Sequence, residues 1–247
     1  MDRPDRLNTL MERFSLSTHI VPAEDANLLV TQGTDGELGK VYLKTGSQDV
    51  AELANDIDFA AFVDWGGSSN PLMAALPPVI ELDLSDDPTT RGLVDMIGQE
   101  LQANRCGSGS VVNRLCEVLI VKLMRAQIER GSAEPGLLAG LADPRLSRAI
   151  VEMHNRPDRD WRNEELATLA GLSLSRFSEL FSQTVAQSPT AYLRSWRLTL
   201  ARQDVLKGDR VSTVSRRYGY ASPEGFSRAY KKHFGLNPIH VRTAASH

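Results

Sequence analysis

The sequence predicts an α+β chain: a small β-rich N-terminal part, a helical connecting region, and an all-α C-terminal part. Three observations point to it. Short apolar segments punctuated by turn residues fill positions 26–84, helical periodicity takes over from Pro88 onward, and the sign of the charge reverses between the two halves. Residues 1–142 hold 11 Lys and Arg against 21 Asp and Glu, whereas residues 143–247 hold 17 against 10. A net of −10 followed by a net of +7 lies hidden beneath an overall charge of −3, and it points to a polyanionic partner for the C-terminal half.

The strand segments are ANLLVTQ (26–32), GKVYLK (39–44), DVAEL (49–53), IDFAAFVDW (57–65) and VIELDL (79–84). GTDGELG, TGSQ and GGSSNP separate them with turn chemistry. Tyr42, Phe59, Phe62 and Trp65 fall at alternate or near-alternate positions, which suits a strand core more than a ligand pocket. After Asp86-Asp87-Pro88, RGLVDMIGQELQAN places Leu93, Met96, Ile97 and Leu101 at helical intervals. The next segment, VVNRLCEVLIVKLMRAQIER, places Val112, Leu115, Val118, Leu119 and Leu123 likewise, with Val111, Ile120 and Val121 on further faces. A helix apolar on more than one face is buried or shared with a second subunit, so a homodimer is expected. Residues 131–140 (GSAEPGLLAG) read as a linker with about a turn of helix.

The C-terminal part nearly repeats itself. LATLAGLSLSRFSELFSQTVAQSPTAYLR (166–194) lies on VSRRYGYASPEGFSRAYKKHFGLNPIHVR (214–242), each copy running helix, glycine turn, second helix, proline stop. Gly171 and Gly219 are free to take the positive φ of the turn. Ser173 and Ser222 suit the N-cap of the following helix, and Pro223 fits its first position. Phe177 with Leu180 or Phe181, and Phe226 with Tyr230, anchor a buried stripe. That leaves Ser175, Arg176, Ser178, Glu179, Ser182 and Gln183 facing out in one copy, and Glu224, Ser227, Arg228, Lys231 and Lys232 in the other. Paired helices with a polar, basic second member describe a helix-turn-helix, here twice, with double-stranded DNA as the expected partner. Between the copies, Tyr192, Trp196 and Leu200 mark one face of a long helix. At about 1.5 Å per residue its roughly seventeen residues span about 25 Å. Such a rod suits two recognition helices set roughly one DNA turn, about 34 Å, apart.

DWRNEELATLAGLSLSRFSELF, SPTAYLRSWRLTLARQDVL and VSTVSRRYGYASPEGFSRAYKKHFGLNPIHVR together resemble the DNA-binding domain of AraC/XylS-type transcription regulators over residues 143–242. LPPVIELDLSDDPTTRGLVDMIGQEL and LAGLADPRLSRAIVEMHNRP resemble the helical tail of members with a cupin-like N-terminal domain. The resemblance implies a cupin-like regulatory domain at 1–84, a helical dimerisation region and linker at 85–142, and a tandem helix-turn-helix domain at 143–247. It makes Ser173–Gln183 and Ser222–Phe234 the two recognition helices. It assigns Arg228 to base edges, Ser227 to a neighbouring base or phosphate, and Lys231, Lys232 and Arg194 to phosphates. Glu179 departs from the basic residue many relatives carry there. It either accepts from cytosine N4 or pairs with Arg176, the pairing being the plainer expectation. A small-molecule effector and RNA polymerase are further partners the resemblance implies.

Other chemistry is not expected. No Walker loop, nucleophile elbow or H-E-x-x-H is present, and His19 is the only histidine before residue 143, too few for a cupin metal. The β region is short and lacks the histidine-bearing strand ahead of a glycine turn that such relatives tend to show, which suggests a degenerate barrel. No catalytic residue, metal or cofactor is therefore expected. An enzyme with a DNA-targeting tail and a non-specific architectural DNA binder remain the alternatives. MDRPDRLNTLMERF has no apolar signal core, and no run of eighteen apolar residues occurs, so a cytoplasmic chain is expected. Cys106 and Cys116 make no disulfide framework or zinc spacing, and Cys116, on the apolar helix, is expected to be an inert thiol.

Overall fold

A computed structural model of the chain describes residues 5–14, 16–33, 38–46, 57–66, 70–103, 105–131 and 134–244. The described elements run α1 (Asn8–Arg13), β1 (Ser17–Ile20), β2 (Leu28–Gln32), β3 (Leu38–Lys44), β4 (Ile57–Asp64), α2 (Pro71–Ala75), β5 (Val79–Asp83), α3 (Pro88–Ala103) and α4 (Ser108–Arg130). They continue as α5 (Leu137–Ala142), α6 (Leu146–Asn155), α7 (Asn163–Ala170), α8 (Leu174–Val185), α9 (Pro189–Leu206), α10 (Val211–Arg217), α11 (Pro223–Phe234) and α12 (Pro238–Ala244). The chain divides into two compact units, residues 10–132 and residues 133–247 together with 1–9.

In the first unit the five strands form one antiparallel sheet in the order β1-β4-β2-β3-β5. Register aligns Leu28 with Leu43 and Ala61, and Val30 with Val41 and Phe59, so these side chains share one face. All of them are buried. Leu29, Tyr42 and Ala60 share the other face and join Ala26 in a smaller core. β2 is thus buried on both sides, which its unbroken apolar run LLV reflects. Helix α4 packs on both β1 and β5, the two edge strands. Asn113 of α4 accepts from the backbone N–H and the hydroxyl of Thr18, and Arg130 donates to the Glu81 carbonyl.

Most of the expected strands appear at their expected places, while β1, α1 and α2, of four to six residues, are too short to show a period. The segment DVAEL lies outside the described residues. Of the aromatic residues, Tyr42, Phe59 and Trp65 are buried, with the Trp65 indole donating to the Phe14 carbonyl. Phe62 is 43% exposed and belongs to no core. The expected stripes of α3 and α4 need correction. Val94 and Ile97 carry the burial of α3, whereas Met96 is 53% exposed. Val112, Cys116, Leu119, Ile120 and Leu123 carry that of α4, whereas Val118 is 50% exposed. A helix apolar on several faces allows more than one stripe, and packing against α3 and the sheet selects between them.

Burial also separates the cysteines. Removal from water pushes the Cys116 thiol up to about 11, whereas Cys106 is exposed. A thiol reagent at neutral pH is expected to modify one cysteine per folded chain, and mass mapping should place it at Cys106. Equal labelling of Cys116 would contradict the packing of α4.

In the second unit, α8, α10, α11 and α12 pack on α9, and α5, α6 and α7 pack among themselves and on α8. His154 of α6 is buried against α9, stacked on Trp196 at 4.1 Å with its Nε2 2.5 Å from the Tyr192 hydroxyl. Desolvation lowers its pKa to about 3, so it remains a neutral core residue and not a cation for a ligand.

Candidate nucleic-acid interface

Each repeat folds as its local chemistry dictates. Gly171, at φ 69°, closes α7, and the Ser173 hydroxyl accepts from the Arg176 amide to open α8. In the second copy Gly219 takes φ 72° after α10, and Ser222 accepts from the Gly225 amide at 3.0 Å, with Pro223 at the first position of α11. The copies part at their ends. Gly235 closes α11 at φ 76°, but Ala186 closes α8 at φ 62°, a conformation that costs a residue with a Cβ roughly 1–2 kcal/mol.

The inner faces are aromatic. Phe177 and Phe181 are fully buried, and Phe181 meets Tyr192 of α9 edge-on. Phe226 lies between Tyr220 and Tyr230, with ring centroids 5.2 and 5.6 Å away. The hydroxyl of Tyr218 donates to Asp204 of α9, and Arg217 bridges Asp204 and Asp209. This cluster ties α10 to the end of α9. No apolar periodicity signalled it, and only the facing of two helices brings the three charges together.

The outer faces are polar. Ser173, Ser175, Arg176, Glu179, Ser182 and Gln183 are exposed on α8 or at its cap, and Ser178 is half-buried at the edge of that face. On α11, Glu224, Arg228, Lys231 and Lys232 are exposed, with Ser222 and Ser227 half-buried. Arg194 is exposed on α9. At 100° per residue, Ser175, Glu179 and Gln183 lie opposite the Phe177–Phe181 stripe, and Glu224, Arg228 and Lys231 opposite the Phe226–Tyr230 stripe.

The two faces differ in charge. Glu179 forms an ion pair with Arg176 at 2.9 Å, and the Gln183 amide lies 3.5 Å from its other oxygen, so the face of α8 is internally neutralised. Among the described residues Arg228, Lys231 and Lys232 enter no ion pair, which leaves the face of α11 cationic despite Glu224. Like charges held together without partners are a ready site for a polyanion. Among the described residues no group of His, Cys, Asp and Glu is arranged to hold a metal, and no helix is long and apolar enough to cross a membrane.

Comparison with known proteins matches residues 166–244 to a helix-turn-helix domain family and residues 15–129 to a cupin family. An uncharacterised HTH-type transcriptional regulator of Haemophilus influenzae is 32% identical over 176 residues, 71% of this chain and 59% of that protein. A putative AraC-like transcription regulator of Streptomyces lividans is 32% identical over 171 residues, 68% of this chain and 56% of that protein. The chain therefore spans under three-fifths of the length of either relative. Among solved structures, an AraC-type DNA-binding-domain protein of Chromobacterium violaceum superposes with a TM-score of 0.41 at 24% identity, over 42% of this chain and 95% of that one.

Proposed function

This chain belongs to the AraC-type helix-turn-helix proteins with an N-terminal cupin domain, and from that premise we propose that it is a sequence-specific transcription regulator. One observation carries the reading: two helices opened by the same serine cap, each with an aromatic inner face and a polar outer face, are joined through α9. Each outer face suits a major groove. The residues proposed to meet DNA are Ser173, Ser175, Arg176, Ser178, Glu179, Ser182 and Gln183 on the first helix, Arg194 on α9, and Ser222, Glu224, Ser227, Arg228, Lys231 and Lys232 on the second. All but the half-buried Ser178, Ser222 and Ser227 are exposed, which supports this, because a base or phosphate contact needs a side chain that is not committed to the core.

The neutral face of α8 and the cationic face of α11 divide the work. The second copy supplies most of the phosphate attraction, and the first contributes selectivity through polar groups. The half-exposed apolar residues of α3 and α4, Met96, Val111 and Val118, support pairing of two chains through the first unit. The sheet-bearing unit is proposed to hold a small-molecule effector or to govern that pairing. Contact with RNA polymerase, a place in the cytoplasm on DNA, and the absence of catalysis belong to the same reading.

Selection of bound fragments from a random duplex pool, followed by competition with unrelated DNA, tests the proposal. A regulator is expected to keep a preference of roughly 10³-fold or more for its site. Equal competition by any duplex would leave only a non-specific binder. Within the selected site, Arg228→Ala is expected to cost about 1–3 kcal/mol and to relax preference at one or two bases of one half. Lys231→Ala should weaken all sequences alike and lower the salt slope by about one. If both changes weakened every sequence equally, the division between reading and positioning would fall.

A further inference from the structure

The two helix-turn-helix copies are connected through α9, but a second connection lies off its axis. Residues 156–162, between α6 and α7 of the first copy, form a strap that reaches the turn of the second. Arg197, midway along α9, donates from Nε to the Pro157 carbonyl at 2.5 Å and from its terminal nitrogen to the Arg159 carbonyl at 2.8 Å. Between these two carbonyls lies that of Asp158. A Cβ added to Gly219, in the turn of the second copy, would come within 2.9 Å of it and 3.6 Å of the Arg197 guanidinium carbon.

The strap is itself braced. The Arg159 guanidinium lies 4.0 Å from the centre of the Trp161 ring and pairs with Glu165 at 2.5 Å, and the Trp161 indole donates to the Arg156 carbonyl at 3.0 Å. A half-buried guanidinium satisfying two backbone carbonyls is a clamp whose partners lose their hydrogen bonds when it is removed.

A lone helix between two bodies lets them bend and twist about its axis, whereas a second contact away from the axis removes that freedom. We propose that the strap 156–162, clamped by Arg197 and seated against Gly219, is a second strut that fixes the separation and angle of the two reading helices, so that binding of one half-site presents the other copy to the next groove. This rests on the reading of α8 and α11 as DNA-reading helices. Arg197 is then a positioning residue, and its effect lies in the coupling between half-sites, because a rigid linkage raises the effective concentration of the second contact.

The test compares the full chain with Arg197→Ala and Arg197→Lys on the selected site and on the same site with one half scrambled. Arg197→Ala is expected to lose roughly tenfold or more on the intact site and little on the half-site, and to tolerate one added base pair between halves that the parent rejects. Arg197→Lys, which keeps a donor, should recover part of the loss. Equal losses on both sites, or none, overturn the proposal.

A measurement without DNA separates this from the wider functional reading. Spin labels at Thr168→Cys and Ser212→Cys, with Cys106→Ser, should give one narrow distance in the parent and a broad distribution in Arg197→Ala. A narrow distribution in both overturns the strut, whatever the chain binds. Gly219→Ala and Gly171→Ala keep the test independent of that one variant. Both place a Cβ at similar positive φ, but nothing lies within 4 Å of the Cβ at Gly171. Broadening in Gly219→Ala alone is expected, and equal behaviour of the two would also overturn it.

Discussion

Raising the salt from about 50 to about 200 mM is expected to weaken binding of the chain to its DNA site by roughly 10³-fold. The expectation follows from charge. Arg194, Arg216, Arg228, Lys231 and Lys232 are exposed in the helical unit without an ion pair among the described residues, and Lys207 and Arg210 join them near the end of α9. About six of these cations against phosphates would release as many counterions, giving a slope of log affinity on log salt near −5. Electrophoretic or fluorescence titration over that range reads the slope directly. A flat response would remove DNA from the proposal altogether, because no duplex binder built on lysine and arginine escapes counterion release. The α8 face should contribute little to the slope, since Arg176 already faces Glu179 at 2.9 Å. Arg176→Ala is accordingly expected to change base preference more than salt dependence.

Phe226→Ala should cost about 3–5 kcal/mol and take site binding with it, as is usual for deletion of a fully enclosed aromatic ring. Phe226 has no exposed surface, and its ring meets Tyr220 of the turn and Tyr230 of its own helix. Deleting it leaves a cavity beneath α11 at the point that aims Arg228, and the loss is a large share of the roughly 5–15 kcal/mol that stabilises a typical domain. Phe62→Ala is the control in the same chain. That ring is 43% exposed on β4, so its removal is expected to cost about 1 kcal/mol, well below the loss at Phe226. Denaturant melts of the two variants should separate them clearly. Similar losses would mean that the two rings have similar surroundings, and the account of the second repeat would be wrong.

Much of the helical unit was legible because its signals are local. A serine cap, a glycine free to take positive φ and a proline at the first position act within a few residues of one another, so Ser173, Gly171, Ser222, Gly219 and Pro223 announce their turns wherever they occur. The aromatic spacing of Phe177 with Phe181 and of Phe226 with Tyr230 sets the inner face by helix geometry alone, and the outer face follows as its complement. The sheet was legible in its longer strands for the same reason, through alternation and turn residues. β1 escaped because Ser17–Ile20 has no apolar alternation, and it is a strand by virtue of pairing with β4.

Other features depended on neighbours far along the chain. α3 and α4 each offered several apolar stripes, and nothing in either helix could choose Val94 over Met96 or Cys116 over Val118. The choice was made by mutual packing. Glu179 could have stood free for a base, and its contact with Arg176, the plainer expectation, became a fact only once both rotamers were placed. Arg197 reads as one more charge on a rod, yet it holds two carbonyls forty and thirty-eight residues away.

The sequence by itself therefore determined the strand-rich and helical halves, the twin turns and the polar faces of α8 and α11, since caps, turns and periodicity act over distances shorter than one helix. Tertiary structure alone decided which apolar stripes are buried, how the charge on each reading face is balanced, and how the strap meets the second turn. Those outcomes depend on contacts between residues distant in sequence, whose geometry exists only after the helices have packed.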